Sequence, residues 1–218
     1  KQVGGLMSYS IIRIERVKHA TATTSMQKHN QRENINYSNT VIQKELTHKN
    51  YDLIHGSRKI EYNTAIENRI ENGYTGKRKI RKDAIKHVQG IVTSDKAFFE
   101  NQSEQSTQKF FEDSLKFIEQ KYGKNNVLYA TVHLDEQTPH MHFGFVPLTE
   151  QGKLSAKEVV GNKRELTALQ DEYNQFVNQN GYKMKRGTSS EQSNVRHQSV
   201  AEYKKDTDYH NELQQENE

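Results

Sequence analysis

Residues 127–146 read Val127-Leu-Tyr-Ala-Thr-Val-His-Leu-Asp-Glu-Gln-Thr-Pro-His-Met-His-Phe-Gly-Phe-Val146, and their pattern decides how the chain folds. Two β-rich runs, 127–134 and 140–146, flank the turn-forming Asp135-Glu-Gln-Thr-Pro139, which predicts an antiparallel hairpin with a five-residue connection. Side chains alternate across a strand, so His140 and His142 share one face with Gly144, while Met141, Phe143 and Phe145 point the other way into a core. On the partner strand Tyr129, Thr131 and His133 form the polar face, and Leu128, Ala130, Val132 and Leu134 the apolar one. Three imidazoles, from His133, His140 and His142, then converge on a rigid sheet and leave coordination positions open for a catalytic cation. Asp135 and Glu136 at the turn are placed to orient a ligand or to handle protons. A lone His-x-His is more often a pair of half-buried polar residues, and it is the whole run from His133 to His142 that favours a metal.

Outward from the hairpin, the apolar alternation of 8–17 predicts a strand. Residues 23–33 open with Thr and Ser capping candidates and read as a short helix carrying His29 and Arg32 on one face. Residues 34–50 are a polar loop, 58–73 a helix ended by Asn72-Gly73, and 76–82 a concentrated basic segment containing Arg78 and Arg81. A short apolar strand over 88–94 and a helix over 107–122, closed by Gly123, precede the hairpin. Beyond it, 153–155 is a candidate sheet edge and 162–180 a helix ending at Gly181. Residues 184–198 are rich in Ser, Gln and Arg, and 199–218 form a polar helix without an apolar face of its own. The expected class is α+β: a mainly antiparallel sheet with helices on one face and the polar site on the other.

The 218 residues, 32% apolar and 28% charged, imply one domain with a modest core. Met7 is the expected natural start, with 1–6 upstream or vector-derived, 7–198 the catalytic domain, and 199–218 the beginning of a longer C-terminal region that is the candidate for any oligomerisation, the oligomeric state itself being open. An export signal is not evident, so a cytoplasmic protein is expected. Cysteine is absent, which excludes disulfides, thiolate metal sites and thiol nucleophiles and leaves His, Asp and Glu as ligands. Residues 1–90 carry 17 Lys and Arg against 8 Asp and Glu, net +9, whereas 91–218 carry 15 against 20, net −5. A basic half suits a polyanionic partner. A Gly-rich phosphate loop is also missing, so no nucleotide cofactor is expected.

The run His133 to His142 resembles the His-x-Asp-Glu-x-x-Pro-His-x-His motif of the MobV (Pre/Mob) relaxases, members of the His-hydrophobe-His superfamily of DNA nicking enzymes. Lys28-His-Asn-Gln-Arg32 resembles the first motif of that family and Asn50-Tyr-Asp-Leu53 its Asn-Tyr-(Asp/Glu)-Leu motif, so the likeness spans roughly residues 7 to 200. It implies a plasmid mobilisation relaxase with His133, His140 and His142 on a divalent cation, Mn2+ favoured and Mg2+ the second candidate. His29 is then the nucleophile at one phosphodiester of the transfer origin, forming a histidine phosphoramidate, with Arg32 and Glu136 as its catalytic partners. Tyr51, Arg78 and Arg81 are expected on the DNA, as hairpin and single strand, and Tyr122 is a further DNA-binding residue implied by the resemblance. A rolling-circle replication initiator, which relies on tyrosine, and a non-catalytic origin-binding repressor, which needs no metal, are the alternatives. Affinity for an origin hairpin is expected to fall steeply with salt, and Arg78→Ala to shrink the slope of log K against log salt by about one unit for each phosphate that is no longer neutralised. A fluorescence titration between low and physiological salt reads both.

Overall fold

The computed structural model describes residues 7–35 and 42–187; the expected features at 1–6 and 199–218, and most of 184–198, lie outside them. Six strands form one sheet in the order β2-β4-β5-β3-β1-β6. They are β1 (Tyr9–Val17), β2 (Tyr51–Asp52), β3 (His87–Thr93), β4 (Val127–His133), β5 (His140–Phe145) and β6 (Lys185–Arg186). All neighbours are antiparallel except β1 and β6, which pair in parallel. The helices are α1 (Ala20–Asn30), α2 (Tyr62–Gly73), α3 (Lys96–Glu100), α4 (Glu104–Tyr122), α5 (Ala156–Val160) and α6 (Lys163–Gln179).

The hairpin has the register its alternation demands, with Thr131 opposite His142 and His133 opposite His140. One irregularity corrects the expected faces. Val127 pairs with Phe145 but Tyr129 pairs with Gly144, so a bulge lies between them. Leu128 therefore packs with Ile66, Ile70, Val146 and Leu148 rather than beside Ala130, and Val127 takes the place in the main core.

That core lies on one face of the sheet, where Val88, Val92, Ala130, Val132, Met141, Phe143 and Phe145 meet Phe110, Phe111 and Ile118 of α4 and Leu169, Tyr173 and Val177 of α6. Each fully buried apolar side chain of this size contributes roughly 1.5–3 kcal/mol. Helix ends are fixed locally: the Ser103 hydroxyl accepts from the Ser106 N–H to start α4, Gly123 at φ 87° ends it, and Asn162 with Glu165 closes a capping box on α6.

Helices were expected on one face alone, yet α1 and α2 cover part of the other. Tyr62 of α2 stacks on Tyr129 at 3.9 Å between ring centroids, and the Tyr129 hydroxyl lies 3.1 Å from His87 Nε2, whose Nδ1 is 3.0 Å from the Thr23 hydroxyl. Helix α1 begins and ends three residues before the expected 23–33. The segment read as a loop at 34–50 contains a 3-10 helix, Lys44–Lys49, leading into β2. Residues 153–155 supply only an isolated bridge, Leu148 to Leu154.

Gly144 permits the aromatic stack, because a Cβ there would lie 2.3 Å from the Tyr129 ring. Gly144→Ala is expected to cost about 1–3 kcal/mol through overpacking. Urea unfolding measures it, and unchanged stability would mean that the ring does not lie across this glycine.

Candidate metal and phosphate site

His140 and His142 project from β5 and His133 from β4 onto one face, and the last turn of α1 brings His29 over them. The ring centroids of His133, His140 and His142 are 4.9–5.2 Å apart, and His29 lies 5.3 Å from both His133 and His142. One ring nitrogen from each of the four falls within 4.8 Å of the others. The sheet trio was legible in the sequence; that His29 enters the same cluster is a consequence of how α1 docks.

The hydrogen bonds assign the tautomers. His133 Nε2 is 3.0 Å from the Asn30 carbonyl oxygen and His140 Nδ1 is 2.9 Å from that of Thr138. A carbonyl only accepts, so each of those nitrogens carries a hydrogen, and in neutral rings the remaining ones, His133 Nδ1 and His140 Nε2, are bare lone pairs. They face each other at 3.2 Å. Two lone pairs at that distance repel unless a cation lies between them, and burial together with the Arg32 charge lowers the pKa of His133, which disfavours a proton in that role. The buried His142 Nε2 has no hydrogen-bond partner, and burial holds His142 neutral as well. An opposed pair of lone pairs and an orphaned third nitrogen fit a divalent metal, and nitrogen donors favour Mn2+ over Mg2+. The carbonyls of Asn30 and Thr138 fix ring orientation, and nothing in sequence spacing marks a backbone acceptor.

Arg32 departs from the expected helix-face phosphate clamp. Helix α1 ends at Asn30, and Arg32 lies beyond it in the left-handed region at φ 52°. From there its guanidinium turns back on the protein. Nε and Nη2 donate to the two Asp135 oxygens at 2.9 and 2.6 Å, Nη2 also to Glu136 Oε1 at 2.7 Å, and Nη1 to the His29 carbonyl at 2.9 Å. The side chain is only 6% exposed and Asp135 is fully buried, so this guanidinium is committed to the protein. Thr47 adds a hydroxyl donor to Asp135 at 2.9 Å, and these bonds hold the Asp135 pKa down to about 2. Glu136 Oε1 stands 3.7–3.9 Å from nitrogens of His29, His133 and His140, which places a negative charge beside all three rings.

The end of α1 is further pinned by amides that sequence reading missed. The Gln31 side chain exchanges two hydrogen bonds with the Ile60 backbone, at 2.7 and 2.8 Å, and Gln27 Oε1 accepts from the Tyr62 N–H at 2.8 Å. Their i, i+4 spacing on one helix face was the available sign. With the helix fixed, His29 remains 35% exposed, in contrast to the buried His133, and desolvation and Arg32 lower its pKa, leaving a neutral ring open to a ligand.

Tyr51 is outside the histidine cluster but lines the recess beside it, with Asn30, Arg32 and Thr131. It pairs with Val132, whose side chain belongs to the main core, and its hydroxyl is pushed up to about 12 by burial and Glu112. Tyr122 is a core residue instead of a surface contact: it is 4% exposed and stacks on Phe145 at 4.2 Å. Arg78 and Arg81 are exposed, and Arg81 pairs with Asp83. Ile80, between them, packs against the smaller cluster of Ile66, Ile70, Val146 and Leu148, and neither arginine belongs to the histidine cluster.

An α+β sheet carrying this hairpin and histidine cluster has the fold of a relaxase domain. It matches the MobM relaxase domain, in structures bound to plasmid pMV158 oriT DNA with Mn, at a TM-score of 0.83 and 36% identity over 90% of this chain and 98% of that one. A further structure of that domain with a 26-nucleotide oriT DNA gives 0.73 at 34% identity, over 89% of this chain and 99% of that one. The chain belongs to the plasmid recombination enzyme (Mob_Pre) family, whose pattern it matches over residues 7–205. It is 56% identical over 96% of its length to plasmid recombination enzyme type 1 of Staphylococcus aureus and 54% over 94% to type 3 of Mammaliicoccus lentus. It spans about half the length of these relatives, 52% and 49%.

Arg32→Ala strands a buried carboxylate, and is expected to destabilise by about 3–5 kcal/mol at neutral pH. The Asp135 pKa is depressed from its ordinary 3.8 to about 2, so its stabilisation is complete above the ordinary value and is lost as pH falls towards 2. Urea midpoints of both proteins against pH should therefore converge in acid; curves that stay parallel to pH 2 would refute the assignment.

Proposed function

We propose that this chain is the relaxase domain of a plasmid mobilisation or recombination protein, nicking one DNA strand at a transfer origin by transesterification, in the cytoplasm where plasmid DNA is found. The observation that carries the reading is the pair of bare imidazole nitrogens, His133 Nδ1 and His140 Nε2, facing each other at 3.2 Å beneath an accessible neutral histidine. The named relatives and the Mn- and oriT-bound MobM domain support it.

His133, His140 and His142 would hold the divalent cation, Mn2+ or Mg2+, which when bound neutralises charge on the phosphate oxygens. His29 supplies the attacking nitrogen: its bond to phosphorus forms as the bond to the 3′ oxygen breaks, the 3′ oxygen leaves as a hydroxyl by taking, through solvent, the proton that the phosphorylated ring then gives up, and the 5′ end stays on the protein as a phosphoramidate. Attack leaves the ring cationic, and the Glu136 carboxylate 3.9 Å from His29 Nε2 stabilises that charge. Arg32 acts as a positioning residue, tying Glu136 to the His29 turn. The Tyr51 hydroxyl, pushed up to about 12 by burial and Glu112, is a poorer nucleophile at neutral pH than the neutral His29 ring. Arg78 and Arg81 contact DNA away from the nick, as on the double-stranded part of an origin hairpin.

The test is nicking of supercoiled plasmid with and without Mn2+, followed by phenol extraction of protein-linked DNA. His142→Ala should lose Mn2+ binding by calorimetry together with nicking. His29→Ala should keep Mn2+ binding and lose adduct formation by about 10³-fold or more. The wild-type adduct should be acid-labile, because protonating the nitrogen of a phosphoramidate makes it a good leaving group. An acid-stable adduct that survives in His29→Ala and disappears in Tyr51→Phe would assign the attack to tyrosine.

A further inference from the structure

His29 is the attacking group of the nicking reading, and it is also the fourth imidazole of the cluster. A neutral imidazole has a single bare nitrogen, because the other carries the hydrogen. That lone pair can attack phosphorus or bind a cation, and it cannot do both at once. The geometry offers it the second use as well as the first. Glu136 Oε1 stands 3.9 Å from His29 Nε2, 3.7 Å from His133 Nδ1 and 3.8 Å from His140 Nε2, so these three nitrogens are gathered about one carboxylate oxygen. The orphaned His142 Nε2 supplies a fourth nitrogen.

Ring spacing indicates which cation would use all four. Zinc binds imidazole nitrogen at about 2.0–2.1 Å in a tetrahedron. Each ring centroid lies about 1.1 Å behind its nitrogen, so four imidazoles on one zinc have centroids about 5.2 Å apart, whereas the right angles of an octahedron would bring them to about 4.5 Å. The observed separations are 4.9, 5.1 and 5.2 Å within the sheet trio, and 5.3 Å from His29 to both His133 and His142. His29 therefore sits at the fourth corner of a near-tetrahedron, and its 35% exposure leaves it room to turn its nitrogen to the centre. Manganese and magnesium prefer six positions and accept oxygen, so with either one the three sheet histidines suffice and phosphate or water oxygens complete the shell. Zinc favours a closed set of four nitrogens and ranks above manganese at nitrogen sites.

We propose that Zn2+ closes this cluster into a four-histidine site with His29 as a ligand, binding more tightly than Mn2+ and silencing the domain by occupying the lone pair that would attack DNA. The silencing rests on the nicking reading, whereas the coordination does not, and the measurements keep the two apart. The 15N-histidine-labelled chain is saturated with Zn2+ or with Mg2+, both diamagnetic, and its imidazole nitrogens are read by NMR, with His29 assigned from the signals lost in His29→Ala. His29 Nε2 should shift to a metal-bound position with Zn2+ and stay bare with Mg2+. In competition calorimetry His29→Ala should weaken Zn2+ about tenfold or more and leave Mn2+ affinity unchanged. A His29 nitrogen that stays bare in the zinc form, or Zn2+ and Mn2+ affinities that fall together, overturns the proposal whether or not the chain nicks. Zn2+ added to the Mn2+-loaded chain should then abolish adduct formation on an oligonucleotide carrying the nick site, and chelation followed by fresh Mn2+ should restore it. An adduct that still forms while His29 is metal-bound refutes the silencing and the choice of His29 as nucleophile together. A metal-bound His29 in a chain that nicks with no cation supports the zinc site and removes the nicking reading alone.

Discussion

One guanidinium ties the site together. Arg32 reaches Asp135, Glu136 and the His29 carbonyl at once, and Asp135 is in turn held by Thr47. Three separate pieces of chain, the end of α1, the 3-10 helix before β2 and the turn of the central hairpin, therefore share one buried charge network. Desolvating these groups is expensive, and a buried ion pair is weak evidence for net stability. Its contribution is geometric: with the network closed, His29 and Glu136 have a fixed relation to the sheet, and with one partner removed a buried carboxylate is left alone. The left-handed backbone at Arg32, φ 52°, is the conformation that lets its side chain turn back.

Around that lock His29, His133 and His142 are kept neutral. Burial and the Arg32 charge push protons off His29, His133 and His142, while the Glu136 carboxylate would pull a proton on to His29. The outcome is a set of nitrogen lone pairs in a confined space, some oriented by backbone carbonyls and one with no partner. Such an arrangement is electrostatically unfavourable when empty and favourable around a cation, so the fold stores affinity for the metal it is proposed to bind.

The sheet divides the labour. On one face Phe143, Phe145, Met141 and Val132 meet the aromatic stripe of α4, and that apolar contact holds the strands rigid. On the other, alternate residues of the same strands present histidines, and α1 and α2 close over them through Tyr62 on Tyr129 and the amides of Gln27 and Gln31. A rigid platform matters because misplacing a nucleophile by about 1 Å costs rate steeply.

The sequence by itself determined the hairpin, its inward and outward faces from Tyr129 onward, the histidine trio and the α+β class, because those follow from a period of two and from residue chemistry at short range. It also marked Glu136, through its place in the hairpin turn, and His29, through a motif resemblance. Tertiary structure alone decided the rest. The bulge near Leu128 exchanges which of two apolar residues enters the main core, a choice set by packing against α2. Tyr122 looks like an exposed aromatic in a polar sequence, yet helix docking turns it into the core, while strand pairing leaves Tyr51 half-buried against it. Arg32 looked like a phosphate clamp because helical spacing was carried past the true end of α1. Its partners lie 103 and 104 residues away, and no local pattern can reveal a charge network closed over that separation.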